Sequence, residues 1–345
     1  MMCSVILLSA CGIISGPQDH RQIEFTEKPS PHGENKFPNW PEPPLVIEKT
    51  VSKAITAGQG SGKAIDHKAH QTAAGVSGAD KVLVTFPGLH KEIKFKWKAA
   101  LSESDGLENY DNSIARNLAA YQIQKLFLDP EDYVIPTSMA FCIPSQHYSQ
   151  FLGLKATPQL AGSDCVLGNA SVWMLDVQLP EVVFEEQHFL TDPNYAYFLS
   201  NLNIVAYLVE HRDGRSGNIL ASKDHSRPQL FFIDNDTTFG TNPYNPFARN
   251  WNIIRVPALR KETIDRLRQV KRKDLDFLGV VAQLDKGSDN VFRNVVPGKN
   301  RGAKKPVRIS KNSVQFGLTK EQLSDVWMRL KQLIKKVDSG EIPVF

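Results

Sequence analysis

The sequence predicts an α+β protein with a small β-rich lobe followed by a larger, mainly helical lobe. Three observations lead there. Glu92 to Lys98 alternates strictly between charged and apolar residues, which is the period of a half-buried strand. Ser113 to Phe127 carries Ile114, Leu118 and Tyr121 at the spacing of one helical face. From about Pro180 onward most periodic segments are helical.

In chain order the reading is as follows. Residues 1–15 form an apolar run ending in Leu8-Ser9-Ala10-Cys11, too short to span a bilayer and read as a lipoprotein-type signal with Cys11 as the lipidated residue. Residues 16–80, rich in Pro, Gly, Ser, Lys and His with little periodicity, read as a flexible linker. Within them Gly58 to Ala64 imitates a phosphate loop but fails it, because Ala57 and Ala64 stand where Gly and Ser or Thr are needed. Residues 81–178 form the β-rich lobe: strands at Val82 to Phe86 and Glu92 to Lys98, a turn at Pro87-Gly88, the helix Ser113 to Phe127 ended by Asp129-Pro130, then strands at Val134 to Ile143 and Val166 to Val177. Residues 179–345 form the helical lobe. It holds a helix at Pro193 to Val209, a polar loop at Glu210 to Gly217, two short strands at Asn218 to Ala221 and Gln229 to Ile233, and helices at Glu262 to Val270, Lys273 to Leu284 and Thr319 to Val337. Thr319 and Gln322 offer a capping box for the last.

Composition narrows the function classes. The 345 residues are 41% apolar and 23% charged, as in globular proteins, and the formal charge of +4 is too small to suggest a nucleic-acid binder. Basic residues cluster at Arg260 to Lys273 and Lys299 to Lys311, as solvated surfaces or as a face for acidic lipid or substrate. The four cysteines include no CxxC pair, which excludes a zinc ribbon; Cys142 and Cys165 are either a disulfide, in an exported protein, or two buried thiols.

The chemistry-bearing residues lie between His211 and Gly240. His211-Arg212-Asp213 is followed five residues after the Asp by Asn218-Ile219-Leu220, and an apolar strand Phe231-Phe232-Ile233 delivers Asp234. An Asp, an Asn and a strand-end Asp in this order resemble the catalytic loop and the metal-binding Asp of protein kinases. Ile233-Asp234-Asn235 with Phe239-Gly240 is similar to the I-D-N-G-x-x-F-G form of the Golgi casein kinase family of secreted-protein kinases and of phosphatidylinositol 3-/4-kinase-like proteins. Arg255-Val256-Pro257-Ala258-Leu259-Arg260, with Thr263 and Arg266-Leu267, resembles the segment after that Asp in the secreted kinases. The resemblance covers Leu83 to Val281.

It implies a bilobal protein-kinase-like fold and an atypical kinase using ATP with Mg or Mn. Asp213 would receive the proton of an acceptor hydroxyl, and Asn218 and Asp234 would hold metal and nucleotide, since hard oxygen donors suit these cations. Lys96 is the choice for the phosphate-binding strand Lys, with Lys94 and Lys98 on the same face. Asp236 reads as a surface turn carboxylate or a second metal contact. Two features depart from the pattern. The helix Ser113 to Phe127 has no acidic residue, Asn117 standing where a Glu partner for the Lys is expected, with Glu103 or Glu108 as substitutes; and no glycine-rich phosphate loop is found. A catalytically inactive pseudokinase is therefore the alternative. A metal-dependent hydrolase built from Asp213, Asp234, Asp236 and His211 or His225 ranks below both. The expected partners are a nucleotide and an unidentified protein, lipid or small-alcohol acceptor. The expected location is the bacterial cell envelope through a lipid anchor on the membrane, or the cytoplasm for an enzyme related to HipA-like kinases.

Overall fold

The computed structural model describes residues 28–56, 61–64, 80–85, 93–100, 113–152, 155–240, 251–302 and 304–345, together with residues 23 and 25. The signal segment with Cys11, the Pro87-Gly88 turn, and Glu103 and Glu108 lie outside the described residues. The fold is mixed, with small antiparallel sheets, and belongs to the α+β class.

Part of the segment expected to be a linker is ordered. Helix α1 (Pro44–Thr56) follows an extended run, and Trp40, Ile47 and Val51 are buried in the main core. The polar composition of residues 28–43 misleads because other elements satisfy their backbone. Ser30 N donates to Asn194 Oδ1 at 2.9 Å, and Arg227 Nε donates to the Pro31 carbonyl at 3.0 Å. Glu48 on α1 accepts from Tyr121 Oη at 3.2 Å and pairs with Lys125, docking α1 on the next helix.

Strands β1 (Ser61–Ala64), β2 (Asp80–Thr85) and β3 (Ile93–Ala99), helix α2 (Ile114–Ile123), and strands β4 (Ser138–Pro144) and β5 (Cys165–Val172) build the first sheet, in the order β1-β2-β3-β5-β4, all antiparallel. The expected alternation in β3 holds: Ile93, Phe95 and Trp97 are buried, while Lys94 on the opposite face is exposed. Trp97 stacks on Phe141 at 6.0 Å. A Cβ on Gly168 would sit 2.5 Å from the Trp97 ring, so the indole lies where only glycine leaves room. Helix α3 (Ser145–Leu152) links β4 to the loop before β5, and the Cys142–Cys165 disulfide joins the two strands.

After the short strand β6 (Val177–Gln178) come α4 (Glu186–Thr191) and α5 (Pro193–Leu208). Asp192 caps α5 by accepting from Asn194 N at 2.8 Å and Tyr195 N at 3.1 Å, and Pro193 occupies the first turn, where no amide hydrogen is needed. α5 is buried on nearly every side. Strands β7 (Ile219–Ser222) and β8 (Leu230–Phe232) form the expected hairpin, with β6 completing a three-stranded sheet. Helix α6 (Lys261–Gln269) and the long C-terminal α7 (Lys320–Asp338) complete the helices, and the Thr319/Gln322 capping box is present through bonds of 2.9 and 3.2 Å.

The helix expected over Lys273 to Leu284 is replaced. A 3₁₀ segment spans Arg272–Gly279, and the chain then enters β9 (Ala282–Lys286). Leu275 and Leu278 are buried at a spacing that a 3₁₀ turn satisfies as well as an α-helix does. The chain cannot continue as a helix, because the backbone of Gly317 crosses in contact with that of Gly279. β9 pairs with β10 (Phe292–Val295) and β12 (Ser313–Phe316), and β12 with β11 (Val307–Ser310). This second sheet packs on the first through a separate core containing Ala140, Cys142, Cys165, Leu284, Phe292 and Phe316. Asn294 Nδ2 ties it to the Ala140 carbonyl at 2.9 Å.

Candidate functional site

The residues singled out in sequence meet where β3, α2 and the β7–β8 hairpin converge. The hairpin register places Asn218 opposite Ile233, whose amide donates to the Asn218 carbonyl at 2.9 Å, so Asp234 follows directly at the mouth of the hairpin. Asn218 Nδ2 donates to Asp213 Oδ2 at 2.7 Å and to the Asp213 carbonyl at 2.9 Å, which closes the loop around its catalytic candidate. Arg215 Nε lies 3.5 Å from the same Asp213 oxygen. The loop is anchored at both sides. Glu210, at a left-handed φ of 52°, pairs with Arg212 and with Arg329 of α7. A Cβ on Gly214 would come within 2.6 Å of the buried Trp251 ring, so the loop lies flat on that indole.

Asp234 also adopts the left-handed conformation, with φ 65° and ψ 59°, which turns the chain sharply at the end of β8. Its carboxylate pairs with Lys98, and Lys96 Nζ lies 3.6 Å from its other oxygen. Lys98 Nζ also reaches Asp236 Oδ2 at 2.9 Å. The lysine selected from the sequence, Lys96, is thus at the site, but Lys98 lies deeper, with only 4% of its surface exposed. Both share the polar face of β3. Which one is buried depends on how far along the strand the hairpin docks, and periodicity carries no signal for that. Lys94 is exposed and meets none of these carboxylates.

Asp236 corrects the reading of a surface turn carboxylate, being 5% exposed. It projects from a 3₁₀ turn, Asn235–Thr237. The turn is fixed by Asn235 N donating to Asn117 Oδ1 at 3.2 Å, by Asn235 Nδ2 donating to the Phe232 carbonyl at 3.3 Å and by Thr238 Oγ1 donating to the Asn235 carbonyl at 2.7 Å. Asn117, expected at the position of a charged partner for the strand lysine, holds this backbone instead. The neighbouring Arg116 guanidinium faces Gly240, where a Cβ would come within 2.6 Å of it.

Electrostatics follow from this packing. Burial opposes ionisation of Asp234, but Lys98 and Lys96 outweigh it and hold the carboxyl below the usual range. Burial and the adjacent Asp234 push Asp236 up, against the pull of Lys98. Burial disfavours the charge on Lys98, yet Asp236 and Asp234 together raise it. For Lys96, burial dominates and lowers it, Asp234 offsetting only part. His211 is fully buried and stacks on Phe232 at 4.4 Å. Burial pushes its imidazole down to about 4, against the attraction of Asp234.

His225 is exposed at the far end of the hairpin and His211 is sealed beneath Phe232, so neither joins the carboxylates as the hydrolase reading requires. Among the described residues no group of three or more His, Cys, Asp or Glu side chains is placed to hold a metal, and no helix is long and apolar enough to cross a membrane. A separate groove of about 940 Å³, lined by Leu118, Met139, Phe277 and Val296 among others, opens on another face of α2. No family model matches the chain, and no curated protein matches it in sequence.

Proposed function

We propose that the protein is an ATP- and metal-dependent phosphotransferase of atypical kinase type, acting on a hydroxyl acceptor. The observation that carries this reading is the convergence of Asp213, Asn218 and Asp234 with two lysines of the third strand of a five-stranded antiparallel sheet. A strand lysine for the phosphates, an Asp for the acceptor hydroxyl and an Asn/Asp pair for metal are the parts that phosphoryl transfer requires. The first sheet with α2 would serve as the small lobe, and the helical body around α5 as the large one.

Asp234 and Asn218 are a fitting donor set for Mg²⁺ or Mn²⁺. Both present hard oxygens, and Asn218 commits its amide nitrogen to Asp213, which leaves its oxygen for a cation. When bound, the metal neutralises charge on the phosphates. The chain supplies the rest. Lys98 and Lys96 attract the phosphate oxygens. Asp213, oriented by Asn218, accepts the proton of the attacking hydroxyl. Trp251 beneath Gly214 keeps the Asp213 loop from shifting, and positioning of this kind contributes much of the rate in such reactions.

A pseudokinase remains the second reading, favoured by the absence of any acidic residue in α2. ATP titrations with and without Mg²⁺ or Mn²⁺, run beside Asp213→Ala and Asp234→Ala, separate the two. Metal-dependent turnover lost by a factor of about 10² or more in both variants supports the enzyme. Binding without turnover selects the pseudokinase, and absence of nucleotide binding refutes both. The Cys142–Cys165 disulfide supports an oxidising compartment, in keeping with an exported protein anchored through Cys11. Fractionation of cells with a Cys11→Ala variant tests the anchor: release of the variant from the membrane is expected, and unchanged fractionation refutes it.

A further inference from the structure

We propose that Asp236 is the positioning carboxylate of Lys98, replacing the acidic residue that α2 lacks. The inference rests on the phosphotransferase reading. It joins two departures of this chain from the patterns it resembles. The helix after β3 carries Asn117 in place of an acidic partner, and Asp236 stands where the I-D-N-G form has glycine. Both departures meet at one turn: Asn117 Oδ1 accepts from Asn235 N at 3.2 Å, and Lys98 Nζ lies 2.9 Å from Asp236 Oδ2, with both charged side chains buried.

Lys98 needs a carboxylate of its own. A long lysine side chain is aimed by the groups that bind its ammonium, and Asp234, whose oxygens would also serve a metal, leaves Asp236 to fix Lys98 in place. Asp236 is placed to stay. Its turn is fixed from α2 by Asn117 and from β8 by the Phe232 carbonyl, and the chain just after it is tied to the residue that follows α5, Val209, whose carbonyl accepts from Phe239 N at 2.8 Å. Asp236 Oδ2 is directed at Lys98, with the Arg116 guanidinium attracted to the same carboxylate. Helix α2 therefore contributes by orienting the backbone of the turn, and the charge comes from the turn itself. The two aspartates divide the work: Asp234 would serve the metal, and Asp236 holds Lys98 aimed at phosphate.

The test is ATP binding to the full chain by calorimetry, once with EDTA and once with Mn²⁺, for the wild type, Asp236→Asn, Asp236→Glu, Lys98→Met and the Lys98→Met/Asp236→Asn double variant. Asp236→Asn is expected to weaken ATP binding about tenfold or more under both conditions, the scale of losing a charge-assisted hydrogen bond. Asp236→Glu is expected to restore most of it, and Asp236→Asn to add no further loss in the Lys98→Met background. Wild-type affinity in Asp236→Asn overturns the proposal. So does a loss confined to Mn²⁺, which makes Asp236 a metal ligand, and so does an additive loss in the double variant. If Asp236→Asn does not fold, the Lys98→Met and double variants, which leave no unpaired Lys98 charge, decide the matter: equal affinity supports the proposal and a further loss overturns it. A wild type that binds no ATP overturns the phosphotransferase reading together with this one, whereas binding that is indifferent to Asp236 overturns only this one.

Discussion

His211 is expected to make the protein lose stability steeply as the pH falls below neutral. The ring is fully buried, stacks on Phe232, and has no hydrogen-bond partner on either nitrogen among the described residues. Burial moves its titration from the ordinary 6.5 down to about 4. Because the folded value is the lower one, the unfolded chain binds the extra proton between those two values. The ring therefore carries no protonation penalty above about pH 6.5, and stability falls as pH drops from there towards 4. The displacement is worth about 3 kcal/mol across the whole window, most of it already expressed at pH 4.5. That is a large part of the 5–15 kcal/mol typical of a folded domain. Urea unfolding of the wild type and of His211→Leu, followed between pH 7.5 and 4.5 with the disulfide intact, isolates this contribution. Asp236 works in the opposite sense, since its raised carboxyl favours the folded state as pH falls, and it is common to both proteins. The expected result is a stability difference between variant and wild type that shifts by about 3 kcal/mol in favour of the variant on acidification. Parallel curves would refute the buried neutral imidazole.

Three further outcomes are expected. Removing residues 1–80 strips Trp40, Ile47 and Val51 from the core, and burying each contributes roughly 2 kcal/mol, so the shortened chain should be insoluble or melt far below the full chain in thermal unfolding. Reduction of Cys142–Cys165, which closes a loop with a sequence separation of 23, should lower the urea midpoint by an equivalent of about 3 kcal/mol, and Cys142→Ala/Cys165→Ala should show no further response to reductant. Gly168→Ala drives a methyl group into the Trp97 ring and the Lys98 carbonyl and should cost about 1–3 kcal/mol by the same assay, while Gly217→Ala, where nothing lies within 4 Å, should be near neutral.

Much of the architecture was legible because it is locally encoded. The alternation of β3, the Asp192-Pro193 start of α5, the β7–β8 hairpin and the Thr319/Gln322 cap each depend on residues within a few positions of one another. The candidate site was legible for the same reason. Asp213 and Asn218 are bonded within one loop, and Asp234 follows across one hairpin.

What the sequence could not disclose depends on contacts between distant residues. Residues 28–56 look like a tether until Asn194, Arg227 and Lys125 meet their polar groups. The strands β9 to β12 are each only four or five residues long, too short to show a period, and form against a surface supplied by β4 and β5. Between a Cys142–Cys165 disulfide and two buried thiols the sequence left the choice open, and the neighbouring of β4 and β5 decides it. The choice between Lys96 and Lys98, and the burial of Asp236, follow from the depth at which the hairpin docks on β3. Alternation determines the face a side chain takes, whereas its depth, and with it its charge partners, is decided by packing between elements more than a hundred residues apart.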